Sequence, residues 1–231
     1  MPAEFDQLAA GYDQLLSDPW RDRFTGAETG FFHLRKRDLI RDYFWRRGMD
    51  TRHLRYLDLG CGKGELLSLL RGDFASAAGC DTSWQMLASI RDIQVRLQLE
   101  PDKLPFTSAE FDFITAACVY HHVPPAERLA LTLEVRRLLR PGGVFAIIEH
   151  NPYNPVTQLI VHRTPVDSNA ILLRSAEARQ LMREAQLIPE APTYFLYTPE
   201  KFYNRSGRSL ERWLARLPLG GQYAVFAIAQ G

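Results

Sequence analysis

Three short stretches of this chain gather residues able to do chemistry. The first is Leu57-Asp58-Leu59-Gly60-Cys61-Gly62-Lys63-Gly64-Glu65, alternate glycines flanked by carboxylates. Glycines at that spacing let the backbone turn tightly and let a ligand approach the main chain. The second is Val119-Tyr120-His121-His122-Val123, and the third is Glu149-His150-Asn151-Pro152-Tyr153-Asn154-Pro155. Imidazoles and carboxylates are the common proton acceptors near neutral pH. Glu149, His150, His121 and His122 are therefore the base candidates, with His150 first and His121 second as catalytic groups. Tyr153 and Asn154 are the expected acceptor contacts beside them. Neighbouring residues of a strand point to opposite faces, so at most one of His121 and His122 should reach a common site. No metal site is expected on that ground.

The glycine turn admits several ligands. A phosphate loop, G-x-x-x-x-G-K-[ST], needs Gly at 57 and Ser or Thr at 64, where this chain has Leu57 and Gly64. A dinucleotide fingerprint, G-x-G-x-x-G, differs in spacing, and Glu65 at the start of the next helix would repel a pyrophosphate. A nucleoside that carries cationic groups and no phosphate suits Asp58 and Glu65 best.

The surrounding elements must place these stretches at one edge. Arg55–Leu59, Ser76–Cys80, Ile93–Leu97, Phe111–Val119 and Val144–Ile148 read as strands, and the continuous apolar run of Phe111–Val119 marks a strand buried on both faces. Glu65–Leu70, Ser83–Ile90 and Ala126–Leu139 read as helices between them, with Ser83 a cap. This alternation specifies βαβ units and an α/β fold with a parallel sheet. Ligands of such sheets bind at the carboxyl ends of the strands, where strand order reverses. After residue 150 the rhythm changes. Asn151–Asp167 holds three prolines and reads as irregular, Ser175–Leu187 as a helix, and Thr193–Tyr197 and Tyr223–Ala229 as strands.

Together these residues resemble the class I S-adenosylmethionine-dependent methyltransferases. The glycine turn comes first, and Gly79-Cys80-Asp81 closes the second strand. Leu104-Pro105-Phe106, Glu110-Phe111-Asp112-Phe113, the His121-His122 segment and Leu138-Leu139-Arg140-Pro141-Gly142-Gly143 then follow in that family's order over residues 54–150. The resemblance implies a Rossmann-like, doubly wound, mostly parallel seven-stranded sheet with an antiparallel last strand. It implies S-adenosyl-L-methionine as cofactor, held by Asp58, Gly60, Cys61, Gly62, Asp81, Thr82, Cys118 and His121. Asp81 would accept the ribose hydroxyls, a bidentate task that suits a carboxylate. Glu100 stands where the family commonly has an Asp near the adenine amino group, and Pro101 follows it in place of the usual Ala. Phe5–Asp13 resembles a segment in which Tyr12 closes over the methionine end of the cofactor. The implied reaction is methyl transfer to a small-molecule acceptor, with oxygen the expected receiving atom. The alternatives are an RNA or protein methyltransferase, or a non-catalytic cofactor- or metabolite-binding subunit of the same fold.

The flanks would shape the acceptor site. Residues 1–50 read as a helical N-terminal cap on a domain spanning 51–231, with acceptor-shaping additions at 151–173 and 199–221. Residues 35–55 carry eight Lys/Arg against three Asp, which reads as a solvated basic face. Leu210, Trp213, Leu214 and Leu217 share a helical stripe, most simply packed on the domain. Arg208 and Arg212 beside it would bind an anionic acceptor, including one on a lipid or glycan carrier. Of the 231 residues 46% are hydrophobic and 24% charged, which excludes a disordered chain, and the formal charge of +1 gives no basicity for nucleic acid. No apolar run of about 18 residues spans a bilayer. The odd count of widely spaced cysteines fits free thiols in the cytoplasm. A monomer or homodimer is expected.

Overall fold

Alternating residues of the central strands pack to opposite sides, and this divides the core in two. Phe111, Ile114, Ala116, Phe145, Ile147, Tyr223 and Val225 join one cluster, whereas Phe113, Val144, Ala146, Ile148 and Phe226 join the other. A computed structural model gives this arrangement. It describes residues 30–230 apart from 101 and 204–207, and before residue 30 only Asp6, Gly11 and Leu15. The expectation for Tyr12 lies outside the described residues, as does the side chain of Arg208.

Strands β1 (Arg55–Leu59), β2 (Ser76–Asp81), β3 (Gln94–Leu97), β4 (Phe111–Ala117) and β5 (Leu139–His150) pair in parallel in the order β3-β2-β1-β4-β5. Strand order reverses between β1 and β4, so the carboxyl ends of these two strands flank the switch point. Strand β8 (Gln222–Ala229) adds antiparallel to β5. On its far side β6 (Leu187–Pro189) and β7 (Thr193–Phe195) lie end to end, so eight strands fill seven positions. The helix expected to reach Leu187 stops at Glu184, and Leu187 begins β6. Pro192, which has no N–H to donate, falls in the break between β6 and β7.

Helices cover both faces. One face carries α1 (Gly30–Arg46) and α2 (Glu65–Leu70), with short α3 (Trp84–Leu87) beside them. Ser83 caps α3, its side chain accepting from the Met86 N–H. The other face carries α4 (Arg128–Leu138) and α6 (Ser175–Glu184) through Leu131, Val135, Leu138, Ala178 and Met182. Helix α1 is pinned by aromatic contacts. Tyr43 stacks on Phe226 at 3.9 Å between centroids, and Phe44 meets Phe113 edge-on at 4.9 Å. Such pairs contribute about 0.5–1.5 kcal/mol beyond their buried area.

Two further expectations are corrected here. The stretch after β5 is not irregular throughout, because it contains α5 (Pro155–Arg163). Asn154 caps that helix by accepting from the Thr157 N–H at 2.9 Å, and Pro155 occupies its first turn, where its missing donor costs nothing. The stripe on α7 (Arg208–Leu214) does not pack on the domain: Leu210, Trp213 and the following Leu217 are exposed, and Glu211 is the residue buried. Among the described residues no helix is long and apolar enough to cross a membrane.

Candidate active site

The carboxyl ends of β1 and β4 open into one cavity. Its floor is the glycine turn, with Asp58, Gly60, Cys61 and Gly62. The turn is fixed from two sides. The Gly60 and Cys61 N–H groups both donate to the Cys80 carbonyl, at 2.8 and 3.0 Å. Asp81 at the end of β2 accepts from the Gly62 N–H and the Ser83 N–H, each at 2.9 Å. Burial raises the Asp81 carboxyl, and those N–H groups oppose the rise. Asp6 reaches the same corner, where it accepts from the Ser83 hydroxyl at 2.5 Å.

Asp58 is buried beneath the turn and accepts from the Thr115 hydroxyl at 2.7 Å. Burial pushes its carboxyl up to about 7, against the pull of Thr115 and of the Lys36 ammonium. Lys36 comes from α1 and is itself buried, with Nζ 3.2 Å from Cys118 Sγ. Burial alone would raise the Cys118 thiol, but Lys36 and then His150 bring it down to about 6.

Strand β4 ends at Ala117, and Cys118 takes a left-handed φ of 60°. The chain after it turns back over the sheet edge. Glu149, fully buried on β5, holds that turn: its Oε1 accepts from the Val119 and Tyr120 N–H groups at 2.9 and 2.7 Å. Its Oε2 lies 2.6 Å from His121 Nδ1. Glu149 is therefore a structural carboxylate and not a free base. Burial works against its charge, but His121 holds it down at about 2, and the same pair holds His121 up at about 10 against its own burial. His121 Nε2 and His122 Nε2 lie 3.4 and 3.5 Å from Asp167 Oδ1. Burial, then His121, lowers His122 to about 4.

Both histidines line the cavity, which corrects the expectation that only one could. The alternation rule fails because the two residues lie on the turn beyond the strand. His150 and Asn154 also line it, and the His150 and His121 rings are 5.1 Å apart. Other sites expected from sequence lie elsewhere. Tyr153 is exposed, and Thr82 and Glu100 are exposed on the flank of the sheet outside the cavity. Arg212 lines a separate groove with Arg47 and Glu190. Lys36, from the segment read as a solvated face, is a buried cation that enters the cavity, and Lys63 of the glycine turn lines it as well. The signal for it was present: Lys36 stands four and seven residues before Ile40 and Tyr43, on their buried line.

Residues 57–147 match a family described as a methyltransferase domain. The chain is 33% identical over 161 residues to a trans-aconitate 2-methyltransferase of Azoarcus sp., covering 68% of this chain and 58% of that protein. The chain carries a class I S-adenosylmethionine-dependent methyltransferase domain. A ubiquinone biosynthesis O-methyltransferase of Thiobacillus denitrificans is 29% identical over 175 residues, covering 66% of this chain and 74% of that protein. A crystal structure of a SAM-dependent methyltransferase from Thermotoga maritima, described as a possible histamine N-methyltransferase, shares the fold. Its TM-score is 0.68 at 15% identity, covering 98% of each chain. The chain spans about half the length of several curated relatives that it matches.

The family's cofactor is S-adenosyl-L-methionine, and the glycine turn fits it. At Gly60, φ is 66° and a Cβ would stand 2.5 Å from Val119 Cγ2, whereas a Cβ at Gly62 meets nothing within 4 Å. The turn thus packs tightly behind and stays open in front. Asp81 accepts one backbone N–H on each oxygen and keeps lone pairs for further donors.

Proposed function

We propose that this methyltransferase moves a methyl group from S-adenosyl-L-methionine to an oxygen of a small-molecule acceptor, and that the acceptor carries a negative charge. Bound cofactor would supply an electrophilic sulfonium methyl. The chain's own residues then bind, orient and exclude water. Asp58, Gly60, Gly62 and Asp81 would hold the cofactor, Asp81 through its hydroxyls.

The observation that supports the acceptor reading is the buried Lys36 ammonium in the same cavity as the glycine turn. A buried ammonium calls for facing negative charge; Asp58 and Cys118 supply part of it, and an anionic acceptor would add to it from the cavity side. Phe31, Phe32, Val166 and Leu196 line the same cavity and suit an apolar body attached to the anionic group. Gln222 Oε1, also on the wall, has no hydrogen-bond partner among the described residues and can accept from a hydroxyl of the acceptor. The names of two relatives agree with this chemistry: one acts on the anion of a carboxylic acid, and the other is an O-methyltransferase. The three cysteines are free thiols, which supports a reducing compartment.

The test is transfer of labelled methyl from the cofactor to panels of carboxylic acids, phenols, bulk tRNA and protein. Label is expected in a small acidic product. Mild base then separates the two oxygen chemistries, because a methyl ester releases methanol and an aryl ether does not. Label confined to tRNA or protein would replace the acceptor class. Cofactor binding with no transfer to any panel would indicate a non-catalytic binding subunit.

A further inference from the structure

We infer that His121, His122 and Asp167 form a binding site for a divalent first-row transition metal, with an open coordination position facing the cavity. One ligand atom from each residue lies within 4.8 Å of the other two. Two of the separations are His121 Nε2 to Asp167 Oδ1 at 3.4 Å and His122 Nε2 to Asp167 Oδ1 at 3.5 Å. Metal–ligand bonds of about 2.0–2.1 Å in a tetrahedron set neighbouring ligand atoms roughly 3.3–3.4 Å apart. Asp167 Oδ1 thus already stands at coordination spacing from both imidazoles, and the ligand atoms of the two imidazoles lie within 4.8 Å of each other.

A second observation points the same way. His121 Nδ1 is committed to Glu149, whose other oxygen accepts two backbone N–H groups. That arrangement fixes the ring and leaves Nε2 as the ligand atom, the carboxylate–histidine pairing common behind bound metals. Two histidines and one carboxylate leave at least one position free, as in metal sites that bind a further ligand. All three residues line the cavity, so the free position faces its interior. If the proposed acceptor reading holds, that position would take an acceptor oxygen. The metal site itself does not depend on that reading.

The experiment titrates Co²⁺ alone into the full chain and reads visible absorption, then displaces it with Zn²⁺. One equivalent is expected to bind, with d–d bands typical of a low-coordinate nitrogen/oxygen site. H122A and D167N should each weaken binding at least tenfold while still binding the demethylated cofactor product. Mapping on the unaltered chain keeps the outcome decisive if a variant fails to fold. Zn²⁺ should protect His122, whose side chain is 21% exposed, from diethyl pyrocarbonate, while His53 at 84% reacts as before. Absence of a stoichiometric cobalt spectrum, or loss of reactivity at His53 without selective protection of His122, overturns the site. Either result would leave the methyl-transfer reading standing.

Discussion

Lys36 Nζ lies 3.2 Å from Cys118 Sγ, which joins helix α1 to the residue just beyond the end of strand β4. The contact has a chemical consequence. A thiol at about 6 is roughly 90% thiolate at pH 7, whereas an ordinary one near 8.5 is about 3%. Iodoacetamide should therefore modify Cys118 readily at pH 7, with a rate that falls only below about pH 6. Cys61 and Cys80 should stay unmodified, because burial pushes both thiols up. Lys36→Met should slow Cys118 alkylation at least tenfold. Mass spectrometry of the labelled peptides reads all three sites, and equal rates in parent and variant would remove Lys36 as the activating group.

Asp58 gives a pH dependence of defined sign. Its carboxyl titrates at about 7 when folded against 3.8 for an ordinary Asp. Below the lower value it is protonated in both states and costs nothing. As pH rises from the lower value to the upper one, the unfolded chain ionises and the folded chain resists, so stability falls across that window by roughly 1.4 kcal/mol per unit of pKa difference. Without cofactor, Asp58→Asn should flatten that dependence and be more stable than the parent above pH 7. It should also bind the cationic cofactor at least tenfold more weakly, since it has lost the charge. Thermal melts between about pH 4 and 8, paired with calorimetry, check both halves. A variant that loses stability at pH 8 would show that the buried carboxylate is not the cost assigned to it.

Arg35 and Glu211 form a buried ion pair between α1 and α7. The guanidinium also lies 3.7 Å over the Tyr203 ring, and Glu211 accepts from the Tyr197 N–H at 2.8 Å. Removing one partner leaves the other charge buried, at a cost of about 3–5 kcal/mol. Glu211→Ala should then lower the melting temperature on the order of 10 °C in a domain of this size. The double variant R35M/E211L should recover most of that loss, because neither charge remains. A double variant as unstable as the single one would mean that the pair's surroundings, and not the pair, carry the effect.

The strands of the parallel sheet and the glycine turn were legible because their signals are local. Alternating apolar runs, the glycine turn and Asp81 at a strand end each depend on neighbours in sequence. The residues proposed to meet an acceptor were not, because they come together through long-range packing. Lys36 shares a helical line with Ile40 and Tyr43, but which face of that helix meets the sheet is settled only by Tyr43 and Phe44 packing on Phe226 and Phe113. His121 and His122 read as alternating strand residues until Cys118 is seen to leave the strand. Arg212 reads as a wall of the site until Glu211, its neighbour, proves to be the buried side of α7. Asn154 read as an acceptor contact proves also to be a helix cap, and the signal for it, Asn followed by Pro, was present in the sequence.

Gly60 and Gly62 make a paired test of the turn. Both have positive φ, 66° and 52°, so any L side chain is strained there by roughly 1–2 kcal/mol. They differ in what surrounds them. A Cβ at Gly60 would stand 2.5 Å from Val119 Cγ2, on the segment held by Glu149, whereas a Cβ at Gly62 meets only open cavity. Gly60→Ala should therefore destabilise the fold by clearly more than Gly62→Ala and displace the segment that carries His121 and His122. Gly62→Ala should melt only a few degrees below the parent and yet bind cofactor at least tenfold more weakly, because its methyl group occupies space that the ligand needs. Melting curves and calorimetry on the two variants separate the effects. If Gly62→Ala binds cofactor as the parent does, the open side of the turn is not where the cofactor lies.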